Sequence, residues 1–163
     1  MSKNITLIFK YGIFCYNINM KAPAFKEFTN QLDTVTTDGF IFEWQVNDPR
    51  ERIVGLLIDG KVVGLVKFSR EFSSRYNRIE SIEVMKEYQG QGYGAMLMAF
   101  VMMDSFSNDG FEGFVALTSK SDGTENFYLH LGAKQRTKQL MIFDTEASQY
   151  VVSKYLPNGG IFK

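Results

Sequence analysis

The sequence has little of what metal and redox sites are built from: among 163 residues there is one cysteine, Cys15, and one histidine, His130. A lone cysteine closes no internal disulfide, and one residue of each kind leaves no His/Cys cluster for zinc, so no metal is expected. No base neighbours Cys15 to activate a thiolate, which makes it a packed small hydrophobe. Net charge is missing as well. Eighteen basic residues balance 18 acidic ones, so no global field draws the protein to nucleic acid or to an anionic membrane. Long apolar runs are also lacking. The opening run Ile5 to Phe14 is broken by Lys10 and has no small-residue cleavage site, and no segment reaches the roughly 18 apolar residues of a spanning helix. These absences point to a soluble, cytoplasmic protein without a nucleic-acid or membrane partner.

What is present, 45% hydrophobic and 22% charged residues, suits one globular domain over residues 1–163. Asn4 to Lys10 alternates as a first strand. From Pro23 the apolar positions Phe25, Phe28 and Leu32 recur at helical spacing, so a helix is expected from there to Thr34. Phe40 to Trp44 fits neither pattern. Arg52–Ile58 and Lys61–Phe68 are β-rich runs joined by Asp59-Gly60, a hairpin signal. Arg78–Met85 reads as a further strand. A helix with Leu97, Met98, Val101 and Met102 follows, then a strand over Phe111–Thr118, which completes a β-α-β unit with parallel strands. A short helix over Thr124–Leu131 ends at Gly132, a strand spans Lys138–Asp144, and a last helix runs from Glu146 to Tyr155. The expected fold is α/β, a mixed, mostly antiparallel central sheet with a β-α-β unit and flanking helices. The apolar segment Tyr150–Tyr155 is a candidate interface, leaving monomer and homodimer both open.

The densest chemical signal is Gln89-Gly90-Gln91-Gly92-Tyr93-Gly94-Ala95, at the junction of the Arg78–Met85 strand and the following helix. Glycines at alternate positions there expose several backbone N–H groups beside the positive end of a helix dipole, a seat for phosphate oxygens. A Rossmann G-x-G-x-x-A pattern also fits. It would need an acidic residue at the end of the next strand, where Thr118-Ser119-Lys120 stands instead. A P-loop fails because no Lys-Ser or Lys-Thr closes the loop.

The same residues resemble the GNAT superfamily of acyl-CoA-dependent N-acyltransferases. Gln89-Gly90-Gln91-Gly92-Tyr93-Gly94 fills that family's (Gln or Arg)-x-x-Gly-x-(Gly or Ala) motif after a strand, here Ile79 to Val84. Asn126-Phe127-Tyr128-Leu129-His130-Leu131-Gly132-Ala133 is similar to its Phe/Leu-Tyr-x-x-Leu-Gly-Phe segment. The resemblance covers about residues 52–144, with Lys86 where proline is common and Ala133 where an aromatic is.

The resemblance implies an N-acetyltransferase that moves an acetyl group from acetyl-CoA to a primary amine of a small molecule, amino acid, peptide or protein, by direct attack in a ternary complex. Acetyl-CoA would be the acyl donor, its pyrophosphate on the N–H groups of Gln89, Gly90, Gln91, Gly92, Tyr93, Gly94 and Ala95, held without a metal. A bulged fourth strand would offer the backbone of Ile82, Val84 and Met85 to the pantetheine arm. Ser121 stands where a polar residue touches the cofactor. Tyr128 is the implied general acid for the departing thiolate. For the base, Glu80 is the candidate: it shares a strand face with Ile82 and Val84 in regular pleating, Glu83 faces the other way, and a bulge could exchange the two. Two further readings remain, a non-catalytic acyl-CoA-binding regulatory module and a toxin-like acetyltransferase of aminoacyl-tRNA.

Overall fold

The computed structural model of the full chain describes residues 7–9, 12–14, 23–28, 37–120, 122–159 and 161–162. The Asp59-Gly60 hairpin forms as its residues require. Both take positive φ (50° and 80°), and the turn joins β4 (Glu51–Ile58) to β5 (Lys61–Glu71). β5 pairs antiparallel with β6 (Tyr76–Val84), and β6 pairs parallel with β7 (Val115–Thr118), the return leg of the β-α-β unit through α1 (Tyr93–Ser107). A short α2 (Glu125–His130) follows, with Gly132 at φ 101° just beyond it. The two-residue strand β8 (Lys134–Gln135), β9 (Leu140–Phe143), α3 (Thr145–Tyr155) and β10 (Ile161–Phe162) complete that half. On the other side lies β3 (Ala24–Phe28), while β1 (Leu7–Phe9) and β2 (Gly12–Phe14) pair with each other in a separate two-stranded sheet. Among the described residues the main sheet has eight strands in the order β10-β3-β4-β5-β6-β7-β9-β8, parallel there only at β10-β3 and β6-β7.

One expectation is overturned. Ala24–Phe28 is a strand on β4, not the start of a helix, while residues 29–34 of the expected helix lie outside the described residues. Phe25 and Phe28, three apart, fall on opposite faces of a strand, and both faces here are apolar. Phe25 packs against Phe100 of α1 with ring centroids 4.8 Å apart, and Phe28 joins the cluster of Trp44, Ile53 and Leu65. A spacing of three cannot separate a helix from a strand clad on both sides. The first expected strand, Asn4–Lys10, is described only at Leu7–Phe9.

The main core lies between the sheet and α1. Ala95, Leu97, Met98, Ala99, Phe100, Val101 and Met102 are all buried, because α1 meets β5 and β6 on one side and α3 on the other. Gly64 sets how close α1 sits: a Cβ there would come 2.8 Å from Leu97 Cδ1. At its C-terminal end α1 carries Asp104, an anion where the helix dipole disfavours one. Its carboxylate accepts from Arg52 Nη1 (2.8 Å), Arg70 Nε (3.0 Å) and Nη2 (2.5 Å) and Asn77 Nδ2 (2.9 Å), so it ties α1 to β4, β5 and β6. In α3, Val151 and Val152 are buried in the core and Tyr150 stays exposed. The apolar content of Tyr150–Tyr155 therefore goes mostly into the core. The opposite sheet face is crossed by residues 40–47, whose Trp44 covers Ile53 and Leu65.

Candidate active site

The site starts from one surplus residue. Phe68 pairs with Ile79 and Lys67 with Ser81, so Glu80 has no partner on β5 and forms a β-bulge. Beside it β6 and β7 part company. Their pairing ends at Ile79↔Leu117, yet β6 runs on to Val84. Met85 N–H donates to Val63 O (2.9 Å) toward β5, and by the alternation of a strand Ile82 and Val84 turn their main-chain groups the other way, to the edge that β7 has left. At Met85 the carbonyl accepts from Tyr88 N–H (2.8 Å), which leaves its second lone pair, and the side chain is buried against Gly39.

A one-turn 3₁₀ helix, Lys86–Tyr88, leads from β6 into the glycine loop. Gly90 and Gly92 have φ of 76° and 86°, the left-handed region that glycine reaches at no steric cost. Gly92 is the N-cap of α1 and supplies no side-chain cap; its carbonyl accepts from Met96 N–H (3.0 Å). No acceptor among the described residues takes the N–H groups of Gly90, Gln91, Gly92, Tyr93, Gly94 or Ala95. Gln89 N–H bonds Lys86 O (3.3 Å), and its side chain donates to Val84 O at 2.9 Å, stitching the loop to the strand end. That stitch takes the Val84 carbonyl and leaves the Ile82 groups and the Val84 N–H open. Gly94 meets an aromatic wall, since a Cβ there would come 3.3 Å from Phe127 of α2. Tyr93 and Tyr88 lean on the core with their rings 6.3 Å apart, while Gln91 is exposed.

A splayed, bulged strand followed by a glycine turn into an uncapped helix matches a known family in sequence as well: the family model for the acetyltransferase (GNAT) family covers residues 15–133. The chain belongs to the GNAT acetyltransferase family. No curated protein matches it by sequence. Solved structures share its fold. The KacTA–DNA complex aligns at 20% identity over 66% of this chain and 76% of that one, with a TM-score of 0.51. A chimera of the spermidine N-acetyltransferase SpeG from Vibrio cholerae and hSSAT aligns at 17% over 63% and 73%, TM-score 0.51. AtaTR bound with AcCoA aligns at 18% over 63% and 72%, TM-score 0.50.

Within this GNAT domain the remaining candidate residues fall into two groups. Tyr128 is on α2, almost fully buried beside Phe127, and burial, followed by the nearby charge of Asp122, pushes its phenol up to about 12. Glu80 and Glu83 lie at the bulge. The extra residue puts Ile82 and Val84 on the α1 side, packed against the main core. Glu80 turns instead to Arg78 (3.2 Å) and does not share their face, a correction to regular pleating caused by the bulge. Glu83 also faces away from α1, and its role was not legible in the sequence. It accepts from Ile41 N–H (2.6 Å), Phe42 N–H (3.1 Å) and Trp44 Nε1–H (3.2 Å), latching residues 41–44 across the sheet. Ser121 lies outside the described residues. Among the described residues no group of three His, Cys, Asp or Glu side chains could hold a metal ion, and no helix is long and apolar enough to cross a membrane.

Proposed function

We propose that the chain transfers an acetyl group from acetyl-CoA to a primary amine by direct attack in a ternary complex. The observation that carries this reading is the run of six backbone N–H groups, Gly90 to Ala95, without a protein acceptor at the start of α1, directly beside the open edge of β6. Bound acetyl-CoA supplies the activated acyl group and a thiolate leaving group. Its pyrophosphate suits the six N–H groups and the α1 dipole. The open N–H and carbonyl of Ile82 and the N–H of Val84 suit the amides of the pantetheine arm, with Ser121 as a polar contact.

Tyr128 is the donor to the departing sulfur. A phenol at about 12 keeps its proton at any working pH. Complete transfer to a thiolate, whose parent thiol has a pKa near 8.5, would run uphill by roughly 5 kcal/mol. Tyr128 therefore shares its proton in a hydrogen bond as charge develops on sulfur. Glu80 takes the proton of the incoming amine, directly or through a water. Its partner Arg78 is exposed, and an ion pair of that kind exchanges readily with solvent. The segment latched by Glu83 forms the wall of the acceptor side, with Ile41 and Phe42 exposed on it.

Acetyl-CoA at a hundredfold excess over its Kd stabilises a folded protein by about 2.7 kcal/mol, a rise of roughly 5–10 °C in Tm for a domain of this size. No rise would sink the reading. A rise without thiol release from any amine, amino acid or peptide would leave the acyl-CoA-binding module as the answer.

A further inference from the structure

We propose that the sheet face turned away from α1 carries a second ligand site, for a small carboxylate with an apolar body. A cavity of about 600 Å³ opens there at the N-terminal ends of β6 and β7, with Arg75, Tyr76, Ala116, Arg136, Leu140 and Ile142 in its wall. The splay between β6 and β7 opens at the other ends of the same strands, beyond the paired stretch Asn77–Ile79. On β9, Met141 and Phe143 are fully buried toward the core, so the alternating Leu140 and Ile142 floor the cavity from the opposite face, with Ala116 paired beside Ile142. Such a volume, mostly apolar with a few converging polar groups, is what small-molecule sites look like.

Charge sets the class of ligand. The sequence has six arginines. Arg50, Arg52, Arg70 and Arg78 each hold a carboxylate. Arg75 and Arg136 both line this one cavity, and Arg136 also lies near enough to Asp144 to help hold that carboxyl below its usual range, behind Lys134. Glu112 shares the wall and is not free. Lys134 and Asp144 cancel as a pair beside Arg136, so two guanidiniums against the one carboxylate of Glu112 leave one positive charge in the wall, a match for a monoanion. Guanidinium forks fit a carboxylate, and the floor requires an apolar remainder.

Arg75 is also held where arginine is disfavoured. It ends the turn between β5 and β6 at φ 58°, with its N–H on Glu71 O (2.7 Å), and its side chain lies over Gly110, where a Cβ would come 3.1 Å from Arg75 Cδ. Glycine would occupy that φ without strain. An arginine kept there at a conformational cost, in the wall of a cavity, fits a binding role.

The test uses the full chain with phenylacetate and octanoate as probes, phenylacetamide and octanol as uncharged counterparts, and inorganic phosphate for charge alone. Binding is followed by calorimetry and by methyl shifts of Ile142 and Leu140, with and without saturating acetyl-CoA. A carboxylate should bind at least tenfold more tightly than its counterpart and than phosphate, move the β9 methyls, and do so equally with acetyl-CoA present. Arg136→Gln should weaken it about tenfold or more. Arg75→Gly should weaken it similarly while raising Tm, which shows that the variant is folded. The proposal is overturned if neither carboxylate binds at millimolar concentration or if the uncharged counterparts bind as well. It is equally overturned if acetyl-CoA competes, if both variants bind like the parent, or if sedimentation shows a dimer that excludes the probes.

Discussion

Glu83→Gln replaces one carboxylate oxygen of the latch by an NH₂ group and tests whether the proposed acceptor wall depends on it. The carboxylate takes three N–H donors, from Ile41 (2.6 Å), Phe42 (3.1 Å) and the Trp44 indole (3.2 Å). An amide offers one acceptor oxygen and turns an NH₂ toward at least one of these donors, so one bond is lost outright and the charge leaves the others. The two backbone bonds are at the surface, where water competes, and the indole bond is partly buried. Roughly 0.5–1 kcal/mol for each of the former and about 1–1.5 kcal/mol for the latter sum to about 2–3.5 kcal/mol if the whole latch opens. That is a roughly 30- to 400-fold rise in the open population of the segment. Hydrogen exchange at Ile41 and Phe42 should speed up by that factor while β5 and α1 amides keep their rates, and Trp44 fluorescence should shift toward that of exposed indole. In turnover, the KM of the amine should rise and that of acetyl-CoA should not, since the donor loop lies on the other side of β6. Unchanged exchange at residues 41 and 42 would refute the latch. Equal changes in both KM values would refute its assignment to the acceptor side.

Three further outcomes follow from the same geometry. Asp104→Asn should cost about 3 kcal/mol, the lower end for breaking a buried ion pair because Arg70 is partly exposed; a urea midpoint moved by less than the equivalent of 1 kcal/mol would show that the network is dispensable. For Tyr128 the folded pKa lies above the unfolded value near 10, so its stabilising contribution is complete below pH 10 and is lost as pH rises toward about 12, by about 2–3 kcal/mol in all. Tyr128→Phe should flatten that part of the stability profile and lower kcat by a hundredfold or more with acetyl-CoA affinity retained; full turnover in the variant would remove the donor role. Gly64→Ala places a methyl 2.8 Å from Leu97 Cδ1 and should cost about 1–3 kcal/mol by pushing α1 from β5, with weaker acetyl-CoA binding measured by calorimetry.

Much of this was legible because local chemistry and tertiary demand agree. Asp59-Gly60 had to turn, Gly90 and Gly92 had to reach positive φ, and the run from Ala95 to Met102 is apolar on all sides because it ends up covered on all sides. Ala24–Phe28 was misread because a strand with two apolar faces carries the same three-residue spacing as a helix. Glu83 could not be seen from sequence, since its partners lie some 40 residues away and two of them are backbone amides, which any residue supplies. Glu80 was misplaced for a different reason. A bulge has no side-chain signature at this position, yet it decides which way every later residue points.

That dependence makes Glu80 a matter of counting as much as of chemistry. Were Glu80 to pair with Lys67 in place of bulging, β6 would be a regular strand in which Ile82 and Val84 turn to the Trp44 side and Glu83 turns inward against α1. The donor edge and the acceptor wall would trade places, a carboxylate would meet the core, and the open main-chain groups would swing onto β5. A deletion of residue 80, by contrast, would leave every later residue on its present partner and face and remove only the kink and the carboxylate: the two-sidedness of the site is stored in a strand that keeps one residue out of register, whatever its identity.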